Sequence, residues 1–277
     1  MKNRTHWSES DTENVVPLDE KFIPESIARV ENLTGTPGTG FHSEIFNSYY
    51  DHYGYEVYNI ASGDYSHAEG AMVTASGRMS HAEGYDTKAT ARCVHAEGEE
   101  TEASGECSHV EGEKTIASAQ CAHAEGYKTT ASKYTSHAEG QSTKASGENS
   151  HAEGYITTAS GENSHAEGRS TVATGYASHA EGWSTKASSS SQHVQGKCNI
   201  EDTENKYAHI VGNGTSDSDR SNAHTLDWEG NAWYAGSVEG DTMIIKSSTE
   251  GSTKRFKITV DDTGIITATE IVETTTE

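Results

Sequence analysis

The sequence predicts an all-β fold, a parallel β-solenoid built from coils of 14 residues. Ten histidines follow one another at a spacing of 14 without an insertion, from His67 to His193, and a glycine lies three residues after each of them. A fixed period of this kind indicates a repeat architecture in which stacked units bury a continuous core. A helical repeat is not expected, because the small residues form no coherent helical stripe and two glycines per unit are costly in a helix.

The repeat unit has the consensus S-H-A-E-G-x-x-T-x-A-S-G-x-x, which reads as two strand-length segments, each closed by a turn. Side chains alternate between the two faces of a strand, so in Ser66 to Gly70 the His and Glu share one face, and Ser, Ala and Gly share the other. We expect the small face to point into the coil. The glycines are free to adopt positive φ at the corners.

Alanines from both strands of each coil line the predicted interior. They are Ala68, Ala75, Ala82, Ala89, Ala103, Ala117, Ala131, Ala145, Ala159, Ala173 and Ala187. Such an interior buries little apolar surface compared with the backbone entropy lost on ordering each coil. The isolated chain is therefore expected to be marginal, and self-association through an outer face is the expected remedy.

The only uniformly repeated outer face carries histidine and glutamate, and we expect it to form the interface between copies of the chain. Its members are His67, Glu69, His81, Glu83, His95, Glu97, His109, Glu111, His123, Glu125, His137, Glu139, His151, Glu153, His165, Glu167, His179, Glu181, His193 and Gln195. Two alternatives stay open for these rows, a solvated face without a structural role and binding of zinc or nickel.

No catalytic residue, metal site or cofactor is assigned from the sequence. Catalysis needs one preorganised constellation, whereas these rows repeat the same group at every coil. The cysteines at 93, 107 and 121 are also 14 apart, so they belong to the repeat and not to a zinc knuckle.

The unit resembles the head repeat of trimeric autotransporter adhesins, whose coils carry S-V-A-I-G where this chain carries S-H-A-E-G, as at Ser150 to Gly154. The resemblance covers roughly residues 57 to 196. It implies a left-handed parallel β-roll and a homotrimer with the His and Glu positions facing the trimer interior. We then expect inter-chain His–Glu hydrogen bonds that favour the protonated imidazole, so that trimer stability falls above neutrality.

Residues 1 to 56 are predicted to be an N-terminal attachment or cap segment. Ile23, Ile27 and Val30 lie on one side of a short predicted helix, suited to a three-helix contact, to docking on a larger particle or to packing on the roll itself. An aromatic cluster is expected to cap the first coil, with a ligand-binding patch as the alternative. The cluster comprises Phe41, Phe46, Tyr49, Tyr50, Tyr53, Tyr55 and Tyr58.

Residues 197 to 240 are predicted to form one degenerate coil, at His209 to Gly212, followed by a hairpin around Gly230 and Asn231. Trp228 and Trp233 are the predicted anchors of a cap on the solenoid.

Residues 241 to 277 are predicted to form a small antiparallel β-meander. Its strands are expected at Met243 to Lys246, Arg255 to Val260 and Ile265 to Ile271. The C-terminal region resembles the closing segments of tail-fibre and minor structural proteins of phages of Gram-positive bacteria, through the stretches D-W-x-G-N-A-W-Y-A-G and K-I-T-V-D-D-x-G.

Charge and hydropathy limit the partners. A net charge of −23 disfavours nucleic acid and anionic membranes. No apolar run approaches the roughly 18 residues of a membrane span, and residues 1 to 13 lack the order of a secretory signal. The expected partners are therefore other copies of the chain, a tail or baseplate protein, and a host cell-surface glycan or protein, with no nucleic acid and no membrane insertion.

These features predict a non-enzymatic structural and adhesive protein, the trimeric shaft of a phage or phage-derived tail fibre or spike that presents a host-binding tip. We expect it in the virion tail or on an extracellular surface, after assembly in the cytoplasm. A bacterial surface trimeric adhesin is one alternative. A tail-associated hydrolase or self-cleaving chaperone protein is another, although no catalytic group is apparent among Asp217, Asp219, His224 and Asp227.

Overall fold

The computed structural model describes residues 40–41, 43–46, 49–50, 56–57, 59–237, 243–246, 254–260 and 263–271 of the chain. All regular secondary structure in these residues is β. The predicted all-β parallel solenoid with 14-residue spacing is confirmed. No helix that could cross a lipid bilayer is found in the described part of the chain.

Each coil contributes one five-residue strand that begins at the repeat histidine. These long strands are His67–Ala71, His81–Tyr85, His95–Glu99, His109–Glu113, His123–Tyr127, His137–Gln141, His151–Tyr155, His165–Arg169, His179–Trp183 and His193–Lys197. Neighbouring coils pair in parallel and in register, so that His151 lies beside His165 and Glu153 beside Glu167. An insertion-free period of 14 is what allows this register.

The second strand of each coil is only two residues long, shorter than the sequence predicts. The short strands are Ile60–Ala61, Thr74–Ala75, Lys88–Ala89, Glu102–Ala103, Ile116–Ala117, Thr130–Ala131, Lys144–Ala145, Thr158–Ala159, Val172–Ala173 and Lys186–Ala187. They form a second parallel sheet of ten strands. The remaining residues of each coil are turns.

The long-strand sheet continues beyond the repeats at both ends. Glu44–Phe46 pairs in parallel with the first long strand. At the other end Tyr207–Asn213 pairs in parallel with the last one and places His209 beside His193, as the degenerate coil predicts. Asn222–Asp227 and Ala232–Tyr234 then add two antiparallel strands, joined by the predicted hairpin.

The interior of the solenoid is narrow and lined by small side chains. All eleven alanines assigned to it from the sequence are fully buried. A row of threonines, six residues after eight of the ten histidines, lies there too, together with the serine that precedes seven of the histidines. Thr143 is typical of the row, and Val73 occupies the same position in the first coil. These threonines were not predicted to lie in the core. In the structure their hydroxyls lie among alanine methyls.

The glycine of S-H-A-E-G turns the first corner at positive φ, as predicted, and also permits close stacking. Gly154 has φ +102°, and a Cβ on it would meet the carbonyl oxygen of Gly168 at 2.2 Å. The second glycine of the unit does not fit the prediction. Gly147 and Gly161 are not at positive φ, and the room they leave for the next coil accounts for them instead, since a Cβ on Gly147 would lie 2.0 Å from the Gly161 oxygen.

Other residue types take the left-handed conformation at the corners. Ile156 has φ +56° and Asn149 has φ +53°. A β-branched residue is rare in this region, and such strain persists only where the surroundings fix the backbone. Here the N–H of Ile156 donates to the carbonyl of Gln141, one coil earlier, at 2.9 Å. The backbone ladder therefore determines the corner irrespective of the side chain.

An asparagine makes side-chain hydrogen bonds to the backbone near each end of the short-strand sheet. Asn59 Oδ1 accepts the N–H of Val73 at 3.0 Å, and its Nδ2 donates to the Gly70 carbonyl. At the far end Asn199 Oδ1 accepts the N–H of Lys186 at 2.7 Å, and its Nδ2 donates to the Lys186 carbonyl. Both asparagines occupy the position of the interior threonine. The Asn199 amide thus takes the place of a further strand beside Lys186–Ala187, whose edge would otherwise be exposed. The Asn59 amide instead joins the first coil to the second.

A polar network also closes the C-terminal end of the solenoid. Asp202 Oδ2 accepts the Gln192 Nε2–H and the backbone N–H groups of Lys206 and Tyr207, each at 2.9 Å. The sequence assigns the anchoring to Trp228 and Trp233, but within the chain these side chains are 47% and 55% exposed. Both tryptophans belong to the hairpin at the edge of the sheet and are about half covered by the chain. Their role as anchors of a cap stays a prediction.

Two smaller sheets complete the described structure. Tyr49–Tyr50 and Glu56–Val57 form an antiparallel pair. Met243–Lys246, Arg255–Val260 and Ile266–Glu270 form the predicted antiparallel meander, which is confirmed.

Several predictions for the N-terminal segment lie outside the described residues. They concern the helix at Ile23, Ile27 and Val30, and the aromatic residues Tyr53, Tyr55 and Tyr58. The side chains of Phe46, Tyr49 and Tyr50 also lie outside the description. Within it, Phe41 packs edge-on against Tyr65 at the start of the solenoid, with ring centroids 5.8 Å apart.

Candidate functional site

The repeat histidines form one continuous column of imidazole rings along the solenoid. Successive ring centroids lie 4.6–4.9 Å apart between His109 and His193, where the rings are parallel to within 12°. Between His67 and His109 the rings are tilted by 51–80°. Register therefore fixes the spacing of the rings throughout, but their orientation changes halfway.

The column is longer than the repeat, because His209 and His224 continue it after His193. Their ring centroids lie 5.2 and 5.6 Å from the preceding ring, and Tyr234 follows at 4.6 Å. The spacing of 16 residues to His209 is visible in the sequence. The position of His224 is not, since it arises from the antiparallel turn of the chain.

A row of glutamates runs beside the histidines, and the contacts between the rows change partner along the shaft. From His67 to His137, except at His109, Nε2 lies 3.5–3.9 Å from a carboxylate oxygen of the same coil. From His151 to His193 it lies 3.4–3.8 Å from the glutamate of the preceding coil. Glu139 contacts both His137 and His151 and marks the change.

Eight imidazole Nε2 atoms of the column are enclosed but not hydrogen-bonded. They are buried without a hydrogen-bond partner in the described part of the chain and belong to His81, His95, His123, His137, His151, His165, His179 and His193. A buried polar atom without a partner is costly and needs an explanation. The predicted inter-chain hydrogen bonds would supply partners, and the role of these rows as a trimer interface stays a prediction.

Within the single chain five histidines of the column favour the neutral form, namely His81, His109, His137, His165 and His209. Burial, followed by the imidazoles of His123 and His151, lowers the pKa of His137 to about 4. The pKa values of His81 and His165 are lowered by burial and then by their neighbouring imidazoles. The glutamates of the same chain raise these pKa values by less. The imidazolium expected from inter-chain pairing in a trimer stays a prediction.

The two rows bring metal-binding atoms together at four places on this face. Two groups hold two histidines and one glutamate, His123 with Glu125 and His137, and His137 with Glu139 and His151. The other two hold one histidine and two glutamates, Glu153 with His165 and Glu167, and Glu167 with His179 and Glu181. In each group the candidate ligand atoms all lie within 4.8 Å of one another.

A second row of side chains, which was not identified from the sequence, consists of the residue that follows each S-H-A-E-G glycine. In the last four coils it reads Tyr155, Arg169, Trp183 and Lys197, which are in register. The Arg169 guanidinium lies 5.8 Å from the Tyr155 ring and 6.0 Å from the Trp183 ring, and the Lys197 ammonium lies 5.7 Å from Trp183. These distances are typical of cation–π contacts.

An open groove of about 770 Å³ lies where the solenoid meets the hairpin. Tyr207 and Trp233 supply aromatic surface, while Asn213, Ser221 and Lys206 supply hydrogen-bonding groups. A few polar groups beside aromatic surface are typical of ligand sites. Trp233 therefore belongs to the wall of a groove rather than to a buried cap.

The acidic residues considered for catalysis each have a local partner. Asp217 pairs with Arg220, and Asp219 accepts the hydroxyl hydrogen of Thr215. Asp227 accepts hydrogen bonds from the backbone and side-chain amide of Asn231 in the hairpin turn, which lower its pKa. His224 stacks in the histidine column. These contacts belong to turns of the chain and to packing between strands.

No protein-family model matches the chain, and no curated protein matches it either.

Proposed function

We propose that the protein is a non-enzymatic, homotrimeric shaft of a phage or phage-derived tail fibre or spike, which presents a host-binding tip at its C-terminal end. The observation that carries the proposal is the in-register solenoid, whose ten coils of equal length repeat the histidine of one outer face without interruption. Identical units stacked along one axis suit a spacer of defined length, whereas a reaction site requires a singular arrangement.

The His and Glu face is the surface on which three copies associate in this proposal. Eight of its Nε2 atoms lack hydrogen-bond partners among the described residues, and its glutamates form a row of like charges. Contacts from other copies would supply donors and acceptors for both rows. The alanine interior, which buries little apolar surface, also supports association.

The groove beside the hairpin is the proposed contact with the host. Trp233 and Tyr207 offer flat apolar surfaces for the faces of sugar rings, and Asn213 and Ser221 offer hydrogen bonds to hydroxyls. A cell-wall glycan is therefore the proposed ligand class.

The test is binding of the purified full-length protein to a panel of cell-wall polysaccharides from Gram-positive bacteria. We expect binding that is lost in Trp233→Ala and retained in Trp183→Ala, which removes a tryptophan from the side of the shaft. Absence of binding across the panel, or equal loss in both variants, would count against the proposed tip. A well-folded monomer that binds the glycans would count against the trimeric shaft alone.

A further inference from the structure

We propose that Glu167, His179 and Glu181 form a binding site for a divalent transition-metal cation of the zinc class. The three residues lie on adjacent long strands, and their candidate ligand atoms are all within 4.8 Å of one another. The site lies on the same His and Glu face as the proposed trimer contacts, and its three ligands all come from one chain.

The distance between the first two ligands already matches a shared tetrahedral ion. His179 Nε2 lies 3.4 Å from Glu167 Oε1. Two ligands bound tetrahedrally at about 2.0–2.1 Å are themselves about 3.4 Å apart. The observed pair is too long for a hydrogen bond but has the spacing of two vertices of such a site.

The Nε2 atom of His179 is buried and makes no hydrogen bond in the chain. A neutral imidazole nitrogen without a donor has a lone pair available for a metal, and imidazole and carboxylate together suit Zn²⁺, Co²⁺ and Ni²⁺. A cation there would also reduce the repulsion between the neighbouring carboxylates of Glu167 and Glu181 in a chain of net charge −23.

Ring orientation distinguishes this group from those with two histidines. His123 and His137, like His137 and His151, are stacked with interplanar angles of 4° and centroids 4.6 Å apart. A metal lies in the plane of the imidazole that binds it, so one ion cannot lie in two parallel planes unless a ring rotates. The group with a single histidine needs no such rotation.

The two groups with one histidine share Glu167, so they compete for one ion. His165 Nε2 lies 3.8 Å from Glu153 Oε1, a longer separation than the 3.4 Å between His179 and Glu167. We therefore assign the ion to the Glu167, His179 and Glu181 group. One ion per chain is the expected stoichiometry.

The test is titration of the tag-free full-length protein with ZnCl₂ by calorimetry and with CoCl₂ by visible absorption. We expect one ion per chain, with the d–d absorption of tetrahedral cobalt. Glu167→Gln removes the shared ligand and should weaken binding by more than about tenfold. Gln195 already holds the equivalent position in the last coil, so this substitution fits the strand.

Three control variants test whether residues outside the proposed site bind the ion. Glu148→Gln removes an exposed corner carboxylate and should leave binding unchanged. Glu139→Gln, in a group with two histidines, should also leave it unchanged. A variant with serine at Cys93, Cys107 and Cys121 should bind as the parent does. No binding by the parent protein, unchanged binding in a folded Glu167→Gln variant, or loss of binding with the cysteines would each overturn the proposal.

Discussion

The ten-coil solenoid and the region from residue 197 to 237 are held in their folded structure by different kinds of contact. In the solenoid, one backbone ladder repeats over and over, and the side chains inside it are alanine, threonine and serine. In the following region the chain reverses, Ile210 fills the core, and Asp202, Gln192 and Asn199 make specific hydrogen bonds. The first region is determined by close stacking of backbone and the second by individual side chains.

The difference shows where each region is vulnerable. A solenoid coil tolerates many residue types at its corners, including Ile156 at positive φ, but leaves no room between backbones. The terminal region has room at Gly230 and Gly236 in and after its hairpin, but it depends on a few buried polar groups. Substitutions can test this contrast directly.

The largest expected effect comes from adding a methyl group between stacked coils. In Gly154→Ala the new Cβ would lie 2.2 Å from the Gly168 oxygen at a φ of +102°. Strain and overpacking together should destabilise the fold by about 4 kcal/mol. Gly230→Ala, at φ +87° with open space around it, should cost only about 1–2 kcal/mol. Denaturant unfolding measures both, and equal losses would contradict the stacking argument.

A smaller loss is expected when the terminal network is broken. Asp202→Ala leaves the Gln192 amide and two backbone N–H groups without their acceptor. The expected cost is about 3 kcal/mol, since bonds to a charged acceptor are the strong ones. Glu204→Ala, at an exposed position in the same loop, serves as the control, with a change of about 0.5 kcal/mol or less. Thermal unfolding of the pair would reveal whether the network closes the end.

Acid should weaken the solenoid through its histidine column. Burial and neighbouring imidazoles lower the pKa of His137 from 6.5 to about 4. Between these values the unfolded chain binds more protons than the folded chain, so stability is complete above about pH 6.5 and falls as the pH drops towards 4. The melting temperature should therefore be lower at pH 5 than at pH 7.5, and the drop should shrink in His137→Gln. A higher melting temperature at pH 5 would contradict this prediction and support the imidazolium–glutamate pairs expected from the sequence.

The smallest effect concerns the buried threonine row. The Thr143 hydroxyl is buried without a hydrogen bond, and Val73 already occupies this position in the first coil. Thr143→Val should stabilise the fold by about 1 kcal/mol, because an unpaired buried hydroxyl is removed without a change of shape. Thr87→Val is the matched variant, since Thr87 Oγ1 donates to the Gly98 carbonyl at 3.1 Å. Thr87→Val should give no stabilisation. Equal changes in the free energy of unfolding for the two variants would show that the hydrogen bond of the hydroxyl makes no difference.

The period and the alanine positions could be predicted from the sequence because they repeat. His67 to His193 fix the register, and alternation along each strand places Ala68 and its equivalents inside. Asn199 could have been recognised as an end cap, since it replaces the repeat threonine in the last coil. The Asp202 network could not, because it depends on how the chain reverses after the last coil. The histidine pKa direction depends on burial, which composition does not give.

The central claim is that this solenoid functions as a trimer joined by its His and Glu face, and the mass of the full-length protein in solution tests it most directly. Light scattering coupled to size-exclusion chromatography at pH 7.5 should give three times the chain mass of 29.7 kDa. A stable, folded species of 29.7 kDa would contradict the claim.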